Sequence, residues 1–226
     1  MTHKIAVIIG ASHAAAQLST SLRQEGWEGD ILVIGDEPYL PYHRPPLSKT
    51  FLSGDKTIEE LFIRPAAFYQ KNNIQFKQAR VTAINRAQQT LTLSDGTNLA
   101  YDKLALCMGA RVRKAAIVGE ELTGVCYLRN IADVKSIQPY VAQGKRAVII
   151  GGGYIGLETA AALKKQGMDV VVLEMADRIL QRVTAPELSE FYTRIHHEEG
   201  VQIHTGILVA EICGNGQVQK VVCANG

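Results

Sequence analysis

The chain of 226 residues is 46% hydrophobic and 20% charged, with 24 lysines and arginines against 22 acids, a formal net charge of +2 and 6% aromatics. That near balance lacks the one-sided positive field of a nucleic-acid binder, and no apolar run reaches the ~18–20 residues of a membrane span. The length allows one large or two modest domains with real cores, and the first residues pass straight into a glycine turn with no export pattern, so a cytoplasmic protein is expected.

Residues 5–9 read as a strand running into VIIGASHAAA, which starts at Val7. A helix over about 13–25, stopped by Gly26, and a strand over 31–34 follow. Such a unit delivers a glycine turn at a strand end, and the next helix turns unpaired N–H groups and about half a positive charge toward an anion. Gly10 takes the first glycine position, while Ser12 and Ala15 stand at the second and third. Serine adds a small side chain where backbone should meet a pyrophosphate, but its hydroxyl can donate to a phosphate oxygen; alanine is accepted at the third position. Asp36 and Glu37 are the acids on the ribose side. His13 either touches a bound nucleotide or caps the helix.

The segment LPYHRPPLSK, Leu40 to Lys49, is unusual in charge and proline content. Pro45 and Pro46 have fixed backbone angles and could wall a ring, although proline suits any exposed loop. A short helix is expected over 62–72, with Pro65 near its start. Strands are expected over 81–84 and 90–93, with a turn at Asp95 and Gly96, and a further strand over 104–107. After a connecting stretch over 111–124 comes a helical segment over 132–141, which Pro139 should kink or shorten.

The second glycine turn, VIIGGGYIGLE from Val148, is the stronger one, because Gly151, Gly153 and Gly156 fill GxGxxG between a strand and a helix over 155–166. Gly167 supplies the stop. Residues 170–173 form the next strand and end at Glu174, close to where an acid holding the adenosine ribose should stand. A carboxylate there repels the extra phosphate of NADP by about 1 kcal/mol in water and about 4 at intermediate screening, so NAD is favoured. Arg178 and Arg182 weaken that preference, since either is a phosphate contact or an ordinary exposed arginine. A helix over 186–199, a strand over 201–204 and two more over 207–212 and 218–222, joined at Asn215 and Gly216, complete the chain. His196 and His197 with Glu198 and Glu199 point in different directions on a helix and make a solvated end rather than a metal site. Cys107, Cys126, Cys213 and Cys223 include no CxxC or CxxxxC pair, so neither a zinc knuckle nor a redox dithiol is indicated.

The segments LPYHRPPLSK, SLRQEGWEGDILVIGDE, LSDGTNLAYDKLALCMGAR, YLRNIADV, VIIGGGYIGLE and RVTAPELSEFYTRIHHEEGV closely resemble FAD-dependent NADH:ferredoxin and rubredoxin reductases, which belong to the pyridine nucleotide-disulfide oxidoreductase superfamily. The resemblance implies an α/β fold of two Rossmann-like, FAD- and NAD(P)-binding three-layer units, the NAD unit inserted in the FAD unit: residues 1–112 as the N-terminal part of the FAD domain and 113–226 as an NAD domain incomplete at its C-terminus. It puts the FAD pyrophosphate at Gly10, Ser12, Ala14 and Ala15, its ribose near Asp36, and Arg44 and Lys49 at the flavin end. Val81 matches a position whose backbone meets the adenine, and Arg129 an arginine near the FAD. Gly151, Gly153, Ile155, Gly156, Glu174 and Arg182 match NAD contacts. Glu158 matches a glutamate near the nicotinamide that pairs with the lysine matched by Lys49, and these two are the expected catalytic pair. Physical sense supports the pairing, because a lysine against a flavin needs a carboxylate to offset its desolvation. As bare sequence, Lys49 is also a surface lysine after a turn and Glu158 an early-helix acid favoured by the macrodipole. Cys107 and Met108 replace the alanine and threonine usual at a second FAD contact, which puts FAD affinity in doubt.

The expected activity passes electrons from NADH through FAD to a ferredoxin- or rubredoxin-type iron–sulfur protein, with no metal site, nucleic acid or membrane involved. Two alternatives stand beside it: a noncatalytic nucleotide-binding remnant, and an NADH reductase with a small-molecule acceptor. The sequence ends in what resembles an unfinished β segment, so truncation, exposed strand edges and self-association are expected.

Overall fold

The computed structural model describes residues 4–225. It has a mixed α/β fold with parallel sheets and divides into two compact units, one comprising residues up to His43 with Ile58–Ala110, the other Arg44–Thr57 with Arg111 onwards. The short arm Arg44–Thr57, which carries Lys49, thus packs with the second half of the chain.

In the first unit, β1 (Ile5–Ile9), α1 (His13–Gln24) and β2 (Asp30–Gly35) are followed by α2 (Ala66–Lys71), β3 (Ile74–Gln78), β4 (Val81–Asn85), β5 (Thr90–Leu93), β6 (Asn98–Ala100) and β7 (Lys103–Leu106). The strands β3-β2-β1-β7 form one parallel sheet, and β4-β5-β6 form an antiparallel meander. The runs IAVII and ILVI are almost continuously apolar because the sheet is covered on both faces. One face packs Ile8, Ile31 and Val33 with Ala15, Tyr69 and Ile74; the other packs Val7, Ile9 and Ile34 with Leu91, Leu93 and Tyr101.

The helix expected over 62–72 is shorter than its pattern. Pro65 is its N-cap, with extended backbone at ψ 156°, so Phe62 to Arg64 lie outside it. Proline disfavours the helical region in the residue before it, which stops the helix from extending back through Arg64. Strands β3 and β6 were not expected: β3 buries only Ile74 and half-buries Phe76 among polar neighbours, and β6 is three residues long.

In the second unit, α3 (Ile131–Ile137) runs into a 3-10 turn at Gln138–Tyr140, so Pro139 shortens the α-helix as expected. A capping box between Asn130 and Asp133 starts it. Then come β8 (Arg146–Ile150), α4 (Tyr154–Lys165), β9 (Asp169–Leu173), α5 (Pro186–Glu198), β10 (Gln202–His204) and the hairpin β11 (Val209–Asn215) and β12 (Gln217–Cys223). The order β10-β9-β8 makes a second parallel sheet. Val148 and Ile150 on its edge strand β8 are exposed. Among the described residues no helix is long and apolar enough to cross a membrane.

Candidate functional site

The second glycine turn divides its work among three glycines. Gly151, at φ +114°, makes the left-handed bend that leaves β8, and its N–H donates to the carbonyl of Leu173 at 2.8 Å. Gly153 is the N-cap of α4, and a Cβ placed on it would meet nothing within 4 Å, so the backbone faces open space. A Cβ on Gly156 would lie 2.1 Å from the carbonyl oxygen of Gly151, so only glycine lets the helix sit this close to the turn. The N–H groups of the first turn, Ile155 included, have no partner within the helix and carry its positive end.

Glu174, at the end of β9, closes this loop. Its Oε2 accepts from the Gly152 N–H at 2.6 Å and its Oε1 from the Ala176 N–H at 2.8 Å. Each oxygen retains a further lone pair for an outside donor. Arg178 donates to the Thr184 and Gln181 carbonyls and the buried Ser189 hydroxyl, so it holds the loop before α5 together. Arg182 is exposed and lines a cavity of about 1770 Å³, together with Gly151–Gly156, Glu174 and Met175. The alternatives for the two arginines therefore separate: Arg178 is bound into its own loop, and Arg182 faces the cavity.

The arm brings a second set of groups to α4. A 3-10 turn over Pro45–Ser48 presents Lys49, whose Nζ lies 3.0 Å from Glu158 Oε1. Ser48 Oγ donates to Glu158 Oε2 at 2.6 Å. Residues more than a hundred positions apart thus meet two residues beyond Gly156. Arg44 Nη1 donates to the Arg129 carbonyl at 2.8 Å, and the Arg129 N–H donates to Asp133 at 2.8 Å. Arg44, Arg129, Leu128, Ile155 and Glu158 line a smaller cavity of about 260 Å³. Ser48 was missed in the sequence because a serine before a lysine has no signature of its own; only the fold shows what its hydroxyl faces.

In the first unit Gly10, at φ +102°, donates its N–H to the Ile34 carbonyl at 2.7 Å, and a Cβ on it would lie 2.4 Å from the Cys107 carbonyl oxygen. Ser12 is the N-cap of α1; its Oγ accepts from the Ala15 N–H at 3.4 Å and donates to the Cys107 carbonyl at 2.7 Å. In this structure its one hydroxyl proton goes to the Cys107 carbonyl, just past β7. The N–H groups at the start of the helix remain for an anion. Ala15 is fully buried and Ala14 exposed in the first turn. Asp36 is exposed just past β2, and Val81 packs half-buried near Ile9 and Ile34, because the Ala79 N–H returns to the Gly35 carbonyl at 2.9 Å. His13 Nε2 and His43 Nδ1 are 3.1 Å apart. Among the described residues the four cysteines are free thiols and no group of three metal-ligating side chains forms.

Two strand–glycine-turn–helix sites, each with an acid at the end of the neighbouring strand, are the geometry of dinucleotide binding, and a family model described as pyridine nucleotide-disulphide oxidoreductase matches residues 4–226. The chain belongs to this family. It is 41% identical to putidaredoxin reductase CamA of Pseudomonas putida over 97% of this chain and 54% of that one. It is 40% identical to a probable ferredoxin reductase, CtmF, of Castellaniella defragrans over 92% of this chain and 51% of that one. A solved covalent putidaredoxin reductase–putidaredoxin complex superposes with a TM-score of 0.95 at 40% identity, covering all of this chain and 56% of that one. The chain spans about half the length of the curated relatives it matches. Despite the family's title, no two cysteines of the chain are spaced as a CxxC or CxxxxC dithiol.

Proposed function

We propose that the protein passes electrons from NADH through FAD to a ferredoxin- or rubredoxin-type iron–sulfur protein in the cytoplasm. The observation that carries this is the pairing of Lys49 with Glu158 beside the second glycine turn, joined by the bidentate hold of Glu158 between Ser48 and Lys49. The relatives' names and the solved reductase–putidaredoxin complex support the acceptor class.

On this reading residues 1–112 supply the FAD-binding part and 113–226 the NAD-binding domain, inserted in it as a second Rossmann-like unit. Open space over Gly153 leaves room for a pyrophosphate against bare backbone, with Gly151, Ile155 and Gly156 shaping that contact, Glu174 accepting from the ribose and Arg182 reaching the phosphates. The first turn fits the same chemistry through Gly10, Ser12, Ala14 and Ala15, with Asp36 toward the ribose and Val81 toward the adenine. Bound FAD would supply a carrier that takes two electrons together and returns them singly. The chain's own part is orientation and charge: Lys49, balanced by Glu158, tunes the flavin edge, while Arg44 and Arg129 set the wall beside it. No dithiol relay is needed, and no side chain acts as an obligatory acid or base.

The test is an anaerobic titration of the FAD-loaded protein with NADH, followed at 450 nm. Bleaching by one equivalent of NADH, then recovery of colour on adding an oxidised ferredoxin, is expected. Flavin that binds but is not bleached refutes the reading in favour of a nucleotide-binding remnant; recovery only with a quinone or oxygen moves the acceptor to small molecules. Exposed Val148 and Ile150 on edge strand β8 also favour self-association, which sizing of the isolated chain checks.

A further inference from the structure

We propose that Ser48 is a positioning residue for Glu158: its buried hydroxyl fixes one carboxylate oxygen so that the other stays aimed at Lys49. The inference rests on the functional reading above, in which Lys49 and Glu158 tune the flavin edge.

Three observations carry it. Ser48 is 4% exposed, and its Oγ reaches Glu158 Oε2 at 2.6 Å, the short distance of a hydrogen bond to an ionised acceptor. Among the described residues the other acceptor within reach of that hydroxyl, the Pro45 carbonyl, is at 3.5 Å, the limit of a hydrogen bond, so the proton belongs to the carboxylate. Lys49 and Glu158 have side chains 49% and 31% exposed, and an ion pair that wet holds its partners weakly. The directional hold on the carboxylate therefore comes from the serine.

The scaffold makes this hold rigid. Pro45 and Pro46 fix the backbone angles of the 3-10 turn, and Leu47 is buried beside them. Glu158 stands on α4, whose start is locked by the Gly156–Gly151 contact. Successive residues of one turn thus grip the two oxygens of one carboxylate. Without the hydroxyl, the carboxylate turns about its terminal bond and Lys49 loses a fixed partner.

The test compares Ser48→Ala with Ser48→Thr, each alone and in a Glu158→Gln background. In protein free of FAD and carrying ¹³C-labelled glutamate carboxyls, the Glu158 resonance, assigned by its loss in E158Q, is expected to move in S48A and to return toward its place in S48T. In the FAD-loaded protein, the rate of flavin reduction at saturating NADH is expected to fall about tenfold in S48A, as loss of a hydrogen bond to a charged group predicts, with the Kd for NADH changed less than twofold. In the E158Q background S48A should cost less than twofold. An unmoved resonance in S48A, or the same tenfold loss in E158Q, overturns the proposal. Should NADH fail to reduce the flavin of the unaltered protein, the functional reading falls while the resonance still decides whether Ser48 positions Glu158.

Discussion

Changing Gly153 and Gly156 to alanine, three residues apart, should produce opposite signatures. At Gly156 the added Cβ would lie 2.1 Å from the Gly151 carbonyl oxygen, where ordinary contact begins near 3.4 Å. The start of α4 or the turn must therefore move by about 1 Å, and overpacking of this kind costs about 1–3 kcal/mol. Alanine's better helix propensity returns about 0.8–1 kcal/mol, leaving a net loss of up to about 2 kcal/mol. For a chain of this size that lowers Tm by up to roughly 8 °C. At Gly153 a Cβ meets nothing within 4 Å and φ is −81°, which alanine adopts freely. The poorer N-cap costs a few tenths of a kcal/mol and reduced freedom of the unfolded chain returns a similar amount, so stability should stay within about 0.5 kcal/mol. The methyl would, however, stand where the proposed pyrophosphate approaches. The Kd for NADH, read by fluorescence titration, should rise at least ~10-fold in G153A, about 1.4 kcal/mol, while urea denaturation stays unchanged. Should G153A bind NADH as the unaltered protein does, the turn is not the pyrophosphate site; should G156A lose no stability, the close-packing argument fails.

Glu174→Ala removes the acceptor of both the Gly152 and Ala176 N–H groups and should cost about 1–3 kcal/mol in urea denaturation even without nucleotide, with Glu174→Gln losing less. Tyr69 is 2% exposed and its hydroxyl has no partner among the described residues, so Tyr69→Phe should stabilise the protein by about 1 kcal/mol. Burial pushes the Tyr69 phenol up to about 12 from 10; the unfolded chain gives up this proton first, so stability should fall between about pH 10 and 12, and less so in Y69F. Burial first, and the neighbouring His197 second, hold His196 below its ordinary value. The unfolded chain therefore takes up this proton first as pH falls below about 6.5, and denaturation midpoints measured below that pH should drop less in His196→Gln than in the unaltered protein.

Both glycine turns, the strands and helices flanking them, and the acids at the strand ends were legible in the sequence, because each depends on a local rule: glycine for positive φ, an apolar run for a strand covered on both faces, a glycine stop for a helix. Helix α2 was overestimated because a proline acts on the residue before it as well as on itself, and β3 and β6 were invisible because a polar or three-residue strand owes its existence to the partner it pairs with. The pairing of Lys49 with Glu158 was anticipated only through resemblance to a family, since no spacing rule connects residues so far apart.

Other features lay beyond any reading of the chain in one dimension. Ser12 and Ser48 are both small hydroxyls beside expected binding residues, yet one donates to the Cys107 carbonyl and the other to Glu158. Arg178 and Arg182 look equivalent in sequence, and only the loop's path turns the first inward and leaves the second facing the cavity. The sequence by itself determined where backbone must bend and which segments must be buried, because those follow from each residue's own sterics and hydrophobicity. Which oxygen meets which proton was decided by tertiary structure alone, since a hydrogen bond is a matter of a few tenths of an ångström between atoms the chain brings together only when folded.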